Sequence, residues 1–238
     1  MCHTGDRFVR TLVIIVTAMA ATAAIGAGVP RPMLDLNPKK PQLHAGYQAV
    51  LFWRVHIEDR SGDLVGLEPR FVVGPPGSAE RVRSGKVVSV TPEEYFSTHY
   101  RPSAVQGRWE RRGAQATYDG LFAVEARPGT VEFFMFALTS GRGGDLDRSA
   151  TMLPIGARVC AIAADKLIYL GALSITVERV DPKDDQYRFV FEEGAASLQG
   201  DLEAMRALFP VPLASLPAEP DLTCAGFEAQ DSSGKVTK

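Results

Sequence analysis

The chain has 238 residues, with 26 basic and 28 acidic side chains, a formal net charge of −2 and a hydrophobic fraction of 45%. That near-neutral balance argues against a nucleic-acid partner, because neutralising phosphates needs a clear basic excess. The length suffices for one sizeable core or two small ones, and no second long apolar stretch follows residue 27.

The N-terminus carries an address. Arg7 and Arg10 precede an apolar run from Leu12 to Ala27, broken only by Thr17, Thr22 and Gly26. Ala18-Met19-Ala20 and Ala21-Thr22-Ala23 fit the small-x-small pattern of a cleavage site. A basic, then apolar, then small-residue order predicts a secretory signal peptide over 1–23, cut near Ala20, Ala23 or Ala27. The alternative is an uncleaved N-terminal anchor, but a span needs roughly 20 apolar residues and the run offers about 16, rich in Ala. Pro30 and Pro32 then stop the helix. The expected destination is periplasmic or extracellular, with no integral span after cleavage. Cys2 precedes the run, so the lipoprotein arrangement is absent, and the excess of Arg over Lys suggests a GC-rich bacterial genome.

Residues 24–46 contain several prolines and read as a linker. Strands are expected over 47–58, 70–73 and 86–90, where β-branched and aromatic residues concentrate. Thr91-Pro92-Glu93-Glu94 supplies a cap, a first-turn proline and a capping-box glutamate, predicting a short helix near 92–99. The polar stretch 101–119 reads as a long loop. Phe122, Val124 and Ala126, the Pro128-Gly129 turn and Val131–Leu138 read as a β-hairpin. Further strands are expected over 157–163, 166–177 and 187–192, with Gly171 marking a bulge. Leu198, Leu202, Met205 and Leu208 or Phe209 form one apolar stripe, a C-terminal amphipathic helix near 198–209 ended by Pro210. A proline-rich, polar tail over 211–238 follows, extended or disordered from about Ala229. Many short strands with Gly/Pro turns predict a mainly β domain over 47–210, a two-sheet antiparallel β-sandwich of about seven strands.

Cys160 and Cys224 remain after cleavage, and in an oxidising compartment an even pair suggests a disulfide. Cys160 sits in an apolar strand without an adjacent base, where a thiol is inert. His56 and Glu58 share a strand face but are two ligands, too few for a metal, and nothing in the sequence brings His44 or His99 to them. No Gly-x-Ser-x-Gly elbow occurs, the paired carboxylates Glu93-Glu94 and Glu192-Glu193 point apart, and Ser140-Gly141-Arg142-Gly143-Gly144 lacks the ending of a phosphate cradle. No catalytic residue, metal or cofactor is therefore expected, although a hydrolase built from scattered residues stays open. The most suggestive binding cluster is Arg108-Trp109-Glu110-Arg111-Arg112 with Tyr100 and Tyr118 nearby. Arg and Trp on a loop can grip a protein or an anionic polymer; the competing arrangement folds Trp109 onto the sandwich among solvated arginines.

Phe122-x-Val124 followed by Arg127-Pro128-Gly129-Thr130-Val131 resembles the hairpin of carboxypeptidase-regulatory-like, prealbumin-type β-sandwiches. Lys166-Leu167-Ile168-Tyr169-Leu170-Gly171 and the strand after it resemble a segment of uncharacterised bacterial envelope proteins of that shape. The likeness covers about residues 115–210. It implies a seven-stranded, two-sheet fold without enzymatic activity, serving as an accessory or interaction module, and it carries over no functional residue. The sequence thus points to a non-catalytic exported envelope protein, or to a module that binds a glycan or protein through 101–119.

Overall fold

The computed structural model describes residues 32–83, 102–139, 151–181, 183, 185–222, 224 and 230–235. They form ten strands and two short helices. In chain order these are β1 (Met33–Asp35), β2 (Ala49–Asp59), β3 (Glu68–Gly74), α1 (Ser78–Arg83), β4 (Ala104–Arg112), β5 (Gln115–Ala126), β6 (Gly129–Thr139), β7 (Thr151–Ile162), β8 (Lys166–Asp181), β9 (Gln186–Glu193), α2 (Leu198–Leu208) and β10 (Gln230–Lys235).

The strands make two sheets, as the composition of the chain predicts. The large sheet runs β1-β5-β2-β8-β9-β10, with β4 also paired to β5; the small sheet runs β3-β6-β7. Between them lies an aromatic core centred on Trp53, fully buried, stacked on Phe122 at 5.2 Å and meeting Phe71 and Phe133 edge-on at 5.4 and 5.5 Å. A disulfide joins Cys160 of β7 to Cys224, with Cα atoms 5.3 Å apart, and so fastens the tail to the small sheet.

The outer face of the large sheet is divided in two. Val50, Phe52, Leu121, Ala123, Leu167 and Tyr169 are buried beneath Leu202, Met205 and Phe209 at α2, which has the predicted stripe. Further along the same strands the outward residues become Arg54, His56, Asp119 and Ser174, and the face opens. The helix begins at Ser197, whose hydroxyl accepts the Gly200 N–H, and buries Asp201 in its first turn. Asp201 accepts hydrogen bonds from Arg54 Nε (2.5 Å) and the Tyr169 hydroxyl (2.6 Å), pinning α2 where the covered half ends.

Several expectations need correction. β5 and β6 are not a hairpin: β5 pairs with β1, β2 and β4, whereas β6 pairs with β3 and β7, so Arg127-Pro128 carries the chain from one sheet to the other. Each strand is apolar on both faces because each is interior to its own sheet, and a hairpin would have left that unexplained. The stretch 101–119 is not a loop. It holds β4 and the start of β5, joined through Gly113 in the left-handed region (φ 65°). β4 lacks apolar alternation because it is exposed on its outer side. The sandwich is not purely antiparallel, since β2 and β8 are parallel, with the chain shifting register opposite Leu170–Gly171 (Gly171 φ 88°), where the bulge is expected. The polar tail is not all irregular: Gln230–Lys235 adds an edge strand to β9 through backbone pairing. Part of the stretch read as linker belongs to the fold, with β1 paired to β5 and His44 donating its backbone N–H to the buried Glu125 carboxylate at 2.7 Å. The expected signal peptide, the strand over 86–90, the helix near 92–99 and the glycine loop 140–144 lie outside the described residues.

Candidate functional site: a pocket on the seam between the sheets

β4 decides where the candidate binding residues go. A strand sends successive side chains to opposite faces, so the Arg108–Arg112 cluster is split. Arg108 and Arg112 project onto the open outer face of the large sheet, where both are about 80% exposed and pair with Glu110. Trp109 and Arg111 project the other way. Arg111 donates to the Gly62 carbonyl at 3.0 Å, and Trp109 packs against the aromatic core with its indole N–H on the Leu67 carbonyl at 2.8 Å. Tyr118 lies opposite Trp109 in the strand register, ring centroids 5.3 Å apart. Tyr100 lies outside the described residues.

Two glycines make room for Tyr118. Gly107 and Gly120 face each other across β4 and β5, and the tyrosine ring lies over both. A Cβ on Gly107 would sit 2.0 Å from the Tyr118 hydroxyl, and one on Gly120 would sit 2.5 Å from the ring. The pair of glycines is therefore a slot for one aromatic side chain.

Trp109 and Tyr118 form one wall of a cavity of about 380 Å³ on the seam between the large and small sheets. Among the described residues, Glu68, Arg70, Ser103 and Gly107 also line it. Arg70 and Ser103 are joined by an isolated backbone bridge, which brings the start of β4 against β3. Arg70 is mostly buried (15% exposed) and donates through Nη2 to Glu68 at 2.7 Å. Its Nε–H is buried and finds no acceptor among the described residues. Leaving such a donor unmet costs on the order of 1–3 kcal/mol. Burial, followed by the nearby Glu68 and Asp119 charges, pushes the Tyr118 hydroxyl up to about 12, so it stays protonated as a donor.

A second cavity, of about 410 Å³, opens on the opposite face of the same strands and is lined by His56, Arg108, Glu110, Arg112, Thr117 and Asp119. Here the strand register sets Asp119, His56 and Ser174 side by side on β5, β2 and β8. His56 Nδ1 lies 3.3 Å from Asp119, whose other oxygen accepts from Arg54 at 3.1 Å. An acid, an imidazole and a hydroxyl in one row resemble the ingredients of nucleophilic catalysis. However, β2 and β8 are interior strands paired on both sides, so their backbone N–H groups are committed to the ladder and cannot form an oxyanion hole. Asp119 (59% exposed) and His56 (45% exposed) are also well hydrated.

His44 is not near this row; its Nδ1 lies 2.9 Å from Glu125, on the far part of β5. No cluster of three or more metal-ligating side chains occurs among the described residues. Sequence reasoning found Trp109 and Tyr118 but missed Glu68, Arg70 and Ser103. The available signal was the matched spacing of Gly107 and Gly120 around an aromatic pair. No protein-family model matches the chain, nor does any curated protein or solved structure.

Proposed function

We propose that this chain is an exported, non-catalytic accessory protein of a bacterial envelope that works by binding, with the seam pocket beside β4 as its contact site. The observation that carries this reading is the seam pocket itself: two aromatic side chains and the ion pair of Glu68 with the mostly buried Arg70 line a cavity of about 380 Å³. Small-ligand sites have this size and combine aromatic side chains with a small number of placed polar groups. Export is supported by the basic-apolar-small order of residues 7–27 and by the Cys160–Cys224 disulfide, which an oxidising compartment favours. Among the described residues no helix is long and apolar enough to cross a membrane.

Two measurements test the reading. Mass spectrometry of the protein from fractionated cells should find a new N-terminus just after Ala20, Ala23 or Ala27 and no free thiol at Cys160 or Cys224. Full-length, reduced protein in the cytosol would refute export. A thermal-shift screen of peptides, nucleotides and saccharides should yield ligands that stabilise the wild type and lose their effect in Trp109→Ala. Ligands that act equally on both proteins would place the contact elsewhere.

A further inference from the structure

The chemistry of the seam pocket narrows its ligand beyond "glycan or protein", and this step rests on the binding reading above. We infer that the pocket takes a neutral sugar ring, its C–H face against Trp109 and a pair of adjacent hydroxyls between Glu68 and Arg70.

Charge comes first. Among the described residues the charged side chains that line the cavity are one carboxylate and one guanidinium, already joined at 2.7 Å, so this lining offers no net charge to reward an anion or a cation. An anionic ligand would meet Glu68 beside Arg70, and a cationic one would meet Arg70 beside Glu68. A hydroxyl group fits both, because it donates and accepts at once. Two neighbouring hydroxyls can donate to Glu68 and accept from Arg70.

Hydrogen-bond supply comes next. Arg70 has five N–H donors, of which, among the described residues, one is given to the Glu68 side chain. A ligand rich in oxygen acceptors suits the guanidinium that lines the cavity, whereas an apolar one does not. The Tyr118 hydroxyl stays protonated at neutral pH, its titration pushed up to about 12 by burial and by the Glu68 charge, and adds a further donor.

Shape comes last. Trp109 is held by its bond to the Leu67 carbonyl, and Tyr118 is held flat over Gly107 and Gly120. Tyr118 is buried and braces Trp109, whose rigid, partly exposed ring costs little entropy on binding and presents a π surface to the weakly positive C–H face of a pyranose.

The test uses the oxidised full-length protein and the indole N–H signals of its two tryptophans, Trp53 and Trp109, in ¹H–¹⁵N NMR. The probes are methyl glucoside, methyl galactoside, methyl mannoside and N-acetylglucosamine, with glucuronate as the anionic comparator. The expected result is a saturable shift of the Trp109 indole with at least one neutral sugar, no shift at Trp53, and weaker binding of glucuronate. Glu68→Gln keeps the shape but loses a charged acceptor and should weaken the neutral sugar by about tenfold or more. Arg108→Ala, on the outer face, should leave the titration unchanged.

A Trp109 indole that no neutral sugar moves, or glucuronate bound more tightly and retained in Glu68→Gln, would overturn the inference. If instead a peptide or nucleotide from the thermal-shift screen binds and is lost in Trp109→Ala, the sugar is refuted and the binding site stands. If no ligand of any class depends on Trp109, both fail together.

Discussion

The two faces of the β4–β5 ribbon carry cavities of nearly equal volume and opposite character. On the outer face, Arg108, Glu110, Arg112, Asp119 and His56 are exposed, and their charges satisfy one another or water. On the inner face, Trp109 and Tyr118 are held by packing, and Arg70 is mostly buried beside Glu68. Volume alone does not separate a binding site from a solvated surface. What separates them is whether the lining side chains are held by packing or stand in water. Surface ion pairs contribute about 0–1 kcal/mol because water competes for each partner.

The comparison can be broken at several depths. The largest effect is expected from reducing Cys160–Cys224, which closes a loop with sequence separation 64 and should account for about 4 kcal/mol in the chain-entropy account. Urea unfolding with and without reductant measures it, and the loss should be global rather than confined to either face of β4–β5. Next come two neighbours on β5. Tyr118→Ala removes a buried ring and should cost about 3 kcal/mol, whereas Asp119→Ala, one residue away and exposed, should stay within about 0.5 kcal/mol. Equal costs in urea melts would erase the distinction between the faces.

Between these sits the joint that holds α2. Asp201→Ala leaves the Tyr169 hydroxyl and Arg54 Nε without their shared acceptor. The cost should be about 2 kcal/mol, less than for a fully buried pair because Arg54 is 30% exposed and can turn to water. Hydrogen exchange should show the loss first in α2 and the underlying covered half of the sheet.

A further effect is in pH, and the Tyr169 and Tyr187 hydroxyls, also raised by burial, share it. Tyr118 titrates at about 12 in the fold, raised by burial and then by Glu68 and Asp119, against an ordinary value of 10. Below pH 10 both folded and unfolded chains keep the proton, so its contribution is fully present. Above pH 10 the unfolded chain ionises first, and stability falls as pH rises from about 10 to about 12. Tyrosinate absorbance should therefore lag for Tyr118 until circular dichroism reports unfolding.

Much of the fold is legible in the sequence because its signals are local. The stripe of Leu198, Leu202 and Met205 gives α2, the alternation of Tyr187, Phe189 and Phe191 gives β9, and Gly171 marks its bulge. What is not legible is partnership. Pro128-Gly129 fits a hairpin turn equally well as a crossing between sheets, and only the packing of two double-sided apolar strands decides. β4 and β10 are edge strands of mostly polar sequence, so the sequence reads them as loop and tail. Arg70 reaches Tyr118 through tertiary contact across 48 residues of chain, which no local spacing encodes.

One measurement addresses the central claim, that the inner face of β4 is the contact site. With only Trp53 and Trp109 in the chain, the two indole N–H signals report the core and the pocket separately, and the backbone amides of Arg108 and Arg112 report the outer face. Titration with the ligands above should move the Trp109 indole and leave Trp53, Arg108 and Arg112 in place. Movement at Arg108 and Arg112 with a silent Trp109 would put the contact on the solvated face and contradict the account.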